Sequence, residues 1–169
     1  QRQMCIRDSD IGGVFDVVLL MGPLYHLVNE KDRKKAVEKA LSLLKPKGII
    51  FSTFISNYAP IMDYVRTMRS NESPEKLLAY LKNGTFTEQH AFTFAHFSSH
   101  TEARALMNSF GLHELVFAGV ENVLSIHEKE LLILDECEYK SWIDIGYALS
   151  TDENLMGTSN HFLYIGQKP

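Results

Sequence analysis

Histidine comes first among the side chains that could do chemistry here, because its ring titrates near neutral pH and can act as base, acid or metal ligand. The 169-residue chain has seven. His96 and His100 stand four apart, but His100 falls in the first turn of a helix that His96 precedes. Neither an HExxH motif nor a cluster of carboxylates accompanies them, so no metal site is expected. His90 and His96 lie in an aromatic-rich stretch, TFTEQHAFTFAHF, and are candidates for a base lining a substrate pocket. The plain alternative makes them lid histidines facing solvent. Tyr25 and His26 follow the end of an apolar run. They either touch a ligand or form a half-buried aromatic pair packed on the helix after Asn29. His161 opens the last strand and reads as structural. Asp16 reads as a strand-entry residue holding a backbone hydrogen bond. Cys5 and Cys137 can build neither a disulfide framework nor a zinc site, and Cys137 has no basic sequence neighbour to lower its pKa.

Those residues need elements to position them. Val14 to Met21 (VFDVVLLM) is a short apolar run closed by Gly22-Pro23, the pattern of a buried strand inside a parallel sheet. Asn29 caps a helix in which Val37, Ala40, Leu41 and Leu44 fall at i, i+3, i+4 and i+7, opposite Lys34, Lys35 and Lys39. Pro46 and Gly48 end it, and Gly48 to Ser56 is a second buried strand. Strand, helix, strand with tight connections makes a βαβ unit with parallel strands.

Residues 57–97 break the alternation. Tyr58 to Arg69 is a short helix with Ile61, Met62, Val65 and Met68 as its candidate buried positions. Ser73-Pro74-Glu75 starts another, which Asn83-Gly84 stops. The whole section is expected to lie over the sheet as a lid, outside the strand order. Phe86, Phe92, Phe94 and Phe97 read as the core of that lid. Ser99 with Glu102 then forms a capping box. Ala103, Leu106, Met107 and Phe110 make the buried stripe, and Gly111 is the stop. Leu112 to Val120 is a third long strand. Ser125 and Glu128 repeat the capping box before a long helix carrying Leu131, Leu132, Leu134, Ile143 and Ile145, with Trp142 in its core face. His161 to Gln167 is the last strand.

Composition bounds the function. Hydrophobic residues make up 45% and charged residues 22%, the balance of a globular domain with a real core. A net charge of −4 argues against electrostatic capture of nucleic acid. No apolar run reaches the roughly 20 residues that span a bilayer, and a reducing, cytoplasmic setting is the simplest reading of two cysteines. The first nine residues, QRQMCIRDS, resemble translated adapter sequence. On that reading residues 1–9 are not native, Cys5 carries no meaning, and the true protein begins upstream.

FDVVLLMGPLYHL, a lysine-rich helix, then LLKPKGIIFSTFIS resembles the fourth and fifth strand units of class I S-adenosylmethionine-dependent methyltransferases. GLHELVFAGVEN and GTSNHFLYIGQK resemble that family's closing strand pair, whose last strand runs antiparallel. The resemblance covers roughly Asp10 to Lys168 and is best in the first forty residues of that span. It implies an α/β, Rossmann-like, doubly wound sheet, here partial: mostly parallel, with an antiparallel last strand and a helical lid insertion at 57–97. It implies S-adenosylmethionine as cofactor and a small-molecule acceptor as partner. Met21, Gly22, Pro23, Tyr25 and His26 then border the cofactor, and Tyr58 and His96 face the substrate. The family's glycine-rich loop after the first strand, and its acidic ribose-binding residue, have no counterpart here. Gly12-Gly13 precedes a strand and cannot open a helix as such a loop does. The chain is therefore expected to be the C-terminal part of the domain, inactive alone. A non-catalytic Rossmann-like binding or regulatory module is the alternative. A nicotinamide-dependent enzyme is a third reading, against which an antiparallel last strand would speak.

Overall fold

The computed structural model describes residues 12–68, 73–86 and 94–169. Strand β1 (Phe15–Leu20) leads through a short helix α1 (Pro23–His26) into α2 (Glu30–Ser42) and β2 (Leu44–Ser56). Asn29 caps α2 through its side-chain oxygen, which accepts from Lys31 N at 2.9 Å, while Glu30 and Asp32 sit in the first turn where the helix dipole favours them. β1 and β2 pair in parallel, so the βαβ unit read from the sequence is present. β2 begins earlier than expected, at Leu44. The Lys-Pro-Lys-Gly segment is taken up inside it as an irregularity, with Lys47 at φ +63° and the register jumping between Phe15↔Leu44 and Val17↔Ile49.

Next come α3 (Ala59–Thr67), α4 (Pro74–Asn83), β3 (Thr85–Phe86), β4 (Ala95–Ser98), α5 (His100–Asn108), β5 (His113–Gly119), α6 (Glu128–Leu131), α7 (Glu136–Leu149) and β6 (His161–Gln167). The strand order is β3-β4-β2-β6-β5, with β1 against β2. β6 lies antiparallel between β2 and β5. The closing strand thus runs in the direction that the resemblance implies.

One face of this sheet is closed. Leu20, Ile50, Phe54, Phe162 and Tyr164 are fully or almost fully buried there, against Ala36, Val37 and Ala40 of α2 and Ala103 and Met107 of α5. Each such large side chain contributes about 1.5–3 kcal/mol by leaving water. Leu41, Leu106 and Phe110 pack on the edge of this core. The other face is open along β1, where Val17 is 50% and Leu19 61% exposed. The expectation of a strand buried on both sides is corrected. Period 2 puts Val18 and Leu20 against the helices and leaves their neighbours uncovered by any described residue.

Five more expectations change. β4 is part of the sheet, pairing in parallel with the end of β2 (Ile55↔Phe97, Ser56↔Ser98), so 57–97 is not wholly a cover over it. In α3, Val65 is exposed and Ile61 and Met62 only half-buried, and Met68, just past its end, is exposed. The long helix after β5 is broken. Asn122–His127 is a 3-10 segment, α6 lasts one turn without a side-chain cap, and Asp135, not Ser125, caps the longer α7 through Cys137 N and Glu138 N. Trp142, Ile143 and Ile145 on α7 are each more than 40% exposed, so Trp142 is not core. Of the phenylalanine set, Phe94 is exposed and Phe97 packs edge-on against Tyr80 at 5.5 Å. Phe92 lies outside the described residues.

Candidate functional site

The turn leaving β1 is built around Gly22, at φ +123° and ψ −56°. That conformation is open to glycine and strained for any L side chain. Space is not the constraint, since the nearest atom to a Cβ there would be Tyr25 Oη at 3.7 Å. Pro23 starts α1, where its missing N–H is no loss. Leu24, 1% exposed, drives into the core and anchors the turn. Met21 is half-exposed, while Gly22, Pro23, Tyr25 and His26 are half-buried. The Tyr25 and His26 rings meet at 4.8 Å and 59°. His26 Nδ1 is buried without a hydrogen-bond partner among the described residues. The five residues expected beside a cofactor therefore form one continuous turn at the carboxyl end of a parallel strand. Open α/β sheets bind ligands at this end.

Behind the turn lies a brace that the sequence reading missed. Arg33 on α2 is 4% exposed. Its Nη1 donates to the carbonyls of Leu27 (2.9 Å) and Val28 (2.7 Å), and its Nη2 to Glu102 Oε1 at 3.3 Å. Glu102 Oε1 also meets His96 Nε2 at 2.7 Å. Burial would push the Glu102 carboxyl up, but the His96 hydrogen bond and the His96 and Arg33 charges outweigh it and hold the group below the ordinary carboxylate value. Burial lowers the Arg33 guanidinium, against the pull of Glu102 and Glu30. A signal for Arg33 existed. It falls in phase with Ala36, Val37 and Ala40, an arginine in the apolar stripe of its own helix.

His96 is thus 6% exposed and engaged with Glu102, which corrects its alternative as a solvent-facing lid residue. β4 packs against α1, so His96 belongs to the wall behind the turn. Tyr58 is 38% exposed at the junction of β2 and α3, its ring over Gly157. Its backbone N–H donates to Ser56 Oγ at 3.1 Å. His90 lies outside the described residues. Asp16 is exposed and paired by its side chain with Lys45 Nζ at 3.0 Å, not with the backbone as expected. Among the described residues no group of three or more His, Cys, Asp or Glu could hold a metal ion.

A second polar constellation lies where β5 ends and β6 begins. His161 Nδ1 hydrogen-bonds Glu121 Oε1, and the His161 backbone N–H donates to Glu121 Oε2 at 2.9 Å. Burial pushes Glu121 up, but the His161 hydrogen bond and charge outweigh it, and the carboxyl sits below its ordinary value. The Glu121 hydrogen bond raises His161 above the ordinary imidazole value despite burial. Nothing in the sequence joins two residues 40 positions apart, and only strand pairing does so.

No protein-family model matches the sequence, and no curated protein matches it. Solved structures do. A methyltransferase dependent on S-adenosylmethionine from Methanosarcina mazei superposes with a TM-score of 0.55 at 13% identity, over 96% of this chain and 64% of its own. One from Clostridium acetobutylicum gives 0.54 at 9% identity, over 96% and 62%. A putative one from Listeria monocytogenes gives 0.53 at 12% identity, over 97% and 66%. The chain therefore spans about two thirds or less of the length of these structures. At such identities the likeness is one of fold: the chain has the Rossmann-like α/β fold of these methyltransferases.

Proposed function

We propose that this chain is the C-terminal part of a class I S-adenosylmethionine-dependent methyltransferase acting on a small molecule in the cytoplasm. The observation that carries the reading is the Gly22 turn. It places bare backbone, with an unpartnered buried His26 Nδ1 in the same turn, at the carboxyl end of β1, in a sheet whose last strand in sequence, β6, runs antiparallel between β2 and β5. An orphaned polar atom beside a glycine that needs no side chain fits a ligand lying along the turn. Met21, Gly22, Pro23, Tyr25 and His26 would hold one side of the cofactor, which supplies a methyl group on a positively charged sulfur. The rest of its contacts we assign to residues outside this chain, because the solved methyltransferases are longer and among the described residues no glycine-rich loop opens a helix.

The residues of this chain act mainly by alignment. In-line displacement gains most from holding the reactants in position, and a base is needed only where the acceptor must lose a proton early. Arg33 keeps the turn in place through the Leu27 and Val28 carbonyls. His96 and Glu102 tie that brace to β4 and α5, a positioning role. Tyr58 borders the acceptor side in this reading, His96 acts behind the turn through the brace and not on the acceptor itself, and His90 stays a candidate base. Among the described residues no helix is long and apolar enough to cross a membrane.

The test is methyl transfer from labelled S-adenosylmethionine to a panel of small amines, phenols and acids. It is run on the protein with all the sequence its gene carries before Asp10. Label on an acceptor is expected; absence of calorimetric S-adenosylmethionine binding by that protein overturns the proposal. The 169-residue chain alone is expected to bind the cofactor weakly or not at all, and micromolar affinity would overturn the assignment of contacts outside it.

A further inference from the structure

The open face of β5 and β6 is flanked by α7 and by the 3-10 segment after β5, leaving a half-open cavity of about 1140 Å³. Leu163 and Ile165 form its sheet wall, and Leu124 and Ile143 its helix wall. These surfaces are aliphatic and suit a flat apolar or aromatic body. Polar groups gather where the strands end. Glu121, His161 and Asn160 all line the cavity there, and Asn160 Oδ1 is buried without a partner among the described residues. A buried acceptor left unpaired costs about 1–3 kcal/mol, which a ligand donor would recover.

The Glu121–His161 pair has the arrangement that makes a histidine a base. Nδ1 is committed to the carboxylate, which fixes the ring and the tautomer and leaves Nε2 as the other ring nitrogen. Glu121 also stabilises the imidazolium, consistent with the raised proton affinity of His161. The remaining titratable groups around the cavity are Arg66, Glu128, Tyr139 and Tyr147. Arg66 and Glu128 lie 4.0 Å apart and face each other.

Position links this cavity to the turn after β1. His161 is in register with Ile55 near the end of β2, and β1 ends at Leu20, in register with Ser52. The two polar ends therefore share one end of the sheet, two strand spacings (about 10 Å) apart across it and three residues, about another 10 Å, apart along it.

We propose that this cavity binds the methyl acceptor, an aromatic or other apolar molecule carrying an acidic hydroxyl, and that His161 Nε2, in place of His90, takes the hydroxyl proton. This rests on the methyltransferase reading for its purpose, though not for its binding. In the step, the acceptor O–H bond breaks and its electron pair stays on oxygen. The proton forms an N–H bond at Nε2, leaving an imidazolium paired with Glu121 and a nucleophilic oxygen.

The probe is 4-nitrophenol, whose phenolate absorbs where the phenol does not. It is titrated into the full chain across about pH 6 to 9, and at each pH the phenolate fraction of the bound probe is compared with that of the free probe. A saturable rise in the phenolate band is expected, lost in His161→Gln and reduced in Glu121→Gln. Leu163→Trp, which narrows the cavity at its sheet wall, should weaken the saturable binding, and Ile143→Trp repeats that test from the opposite wall. A band that never saturates, or one that survives His161→Gln, overturns the proposal. Because the probe needs no methyl donor, its failure is separable from that of the proposed function, which calorimetry with S-adenosylmethionine reads independently.

Discussion

At the scale of single residues, stability and site geometry meet in Arg33. Replacing it by methionine keeps volume but strands the Leu27 and Val28 carbonyls and removes one partner of Glu102. A cost of about 2 kcal/mol is expected in chemical denaturation, since hydrogen bonds to a charged group are each among the stronger ones. Gly22→Ala should cost about 1–2 kcal/mol through the strained positive φ alone. The Glu121–His161 pair sets a pH dependence. Glu121 is depressed below 4.5, so its contribution is full above that value and is lost as pH falls through its folded value. His161 is raised above 6.5, so its contribution is full below that value and is lost as pH rises through its folded value. The pair therefore stabilises most between about pH 4.5 and 6.5. In urea melts across pH, His161→Gln should flatten the alkaline limb; an unchanged limb would show that the pair adds nothing.

At the scale of elements, the capping chemistry decides where helices start. Asp135 Oδ1 accepts from Cys137 N and Glu138 N, both at 2.9 Å, whereas no side chain caps α6. Asp135→Ala should lower stability by about 1 kcal/mol and Ser125→Ala by little, as thermal melts would show. The end of α2 is held differently. Lys168 Nζ donates to the carbonyls of Leu41 (2.9 Å) and Leu44 (2.7 Å), so a residue just after β6 serves a helix 127 positions away. Gly84 does comparable work for β4. It sits at φ +62°, and a Cβ there would come within 2.2 Å of the Phe97 carbonyl oxygen, so only glycine lets α4 turn directly into the strand pair.

For the whole molecule, the two faces of the sheet are unequal. One is packed by α2 and α5, while on the other β1 exposes Val17 and Leu19, and among the described residues it pairs only with β2. An apolar strand with an unpaired edge invites association with another chain. The isolated chain should show concentration-dependent self-association in analytical ultracentrifugation. Leu19→Lys should reduce it without lowering the melting temperature, because the side chain is 61% exposed. Association unaffected by that change would place the contact elsewhere.

The periodicities of 2 and 3.6 marked β1, α2, β2, α5, β5 and β6 before any coordinates, because each pattern records which side of an element leaves water. The capping residues Asn29, Ser73 and Ser99 were legible for the same local reason, as was the Met21–His26 turn. Other features required contacts between distant parts of the chain. The seating of β4 in the sheet, the break before α7, the Arg33–Glu102–His96 brace and the Glu121–His161 pair depend on which strands lie side by side. Hydrophobic pattern tells a residue to be buried or exposed but names no partner, and only tertiary packing decided whether β1 was covered on one face or two.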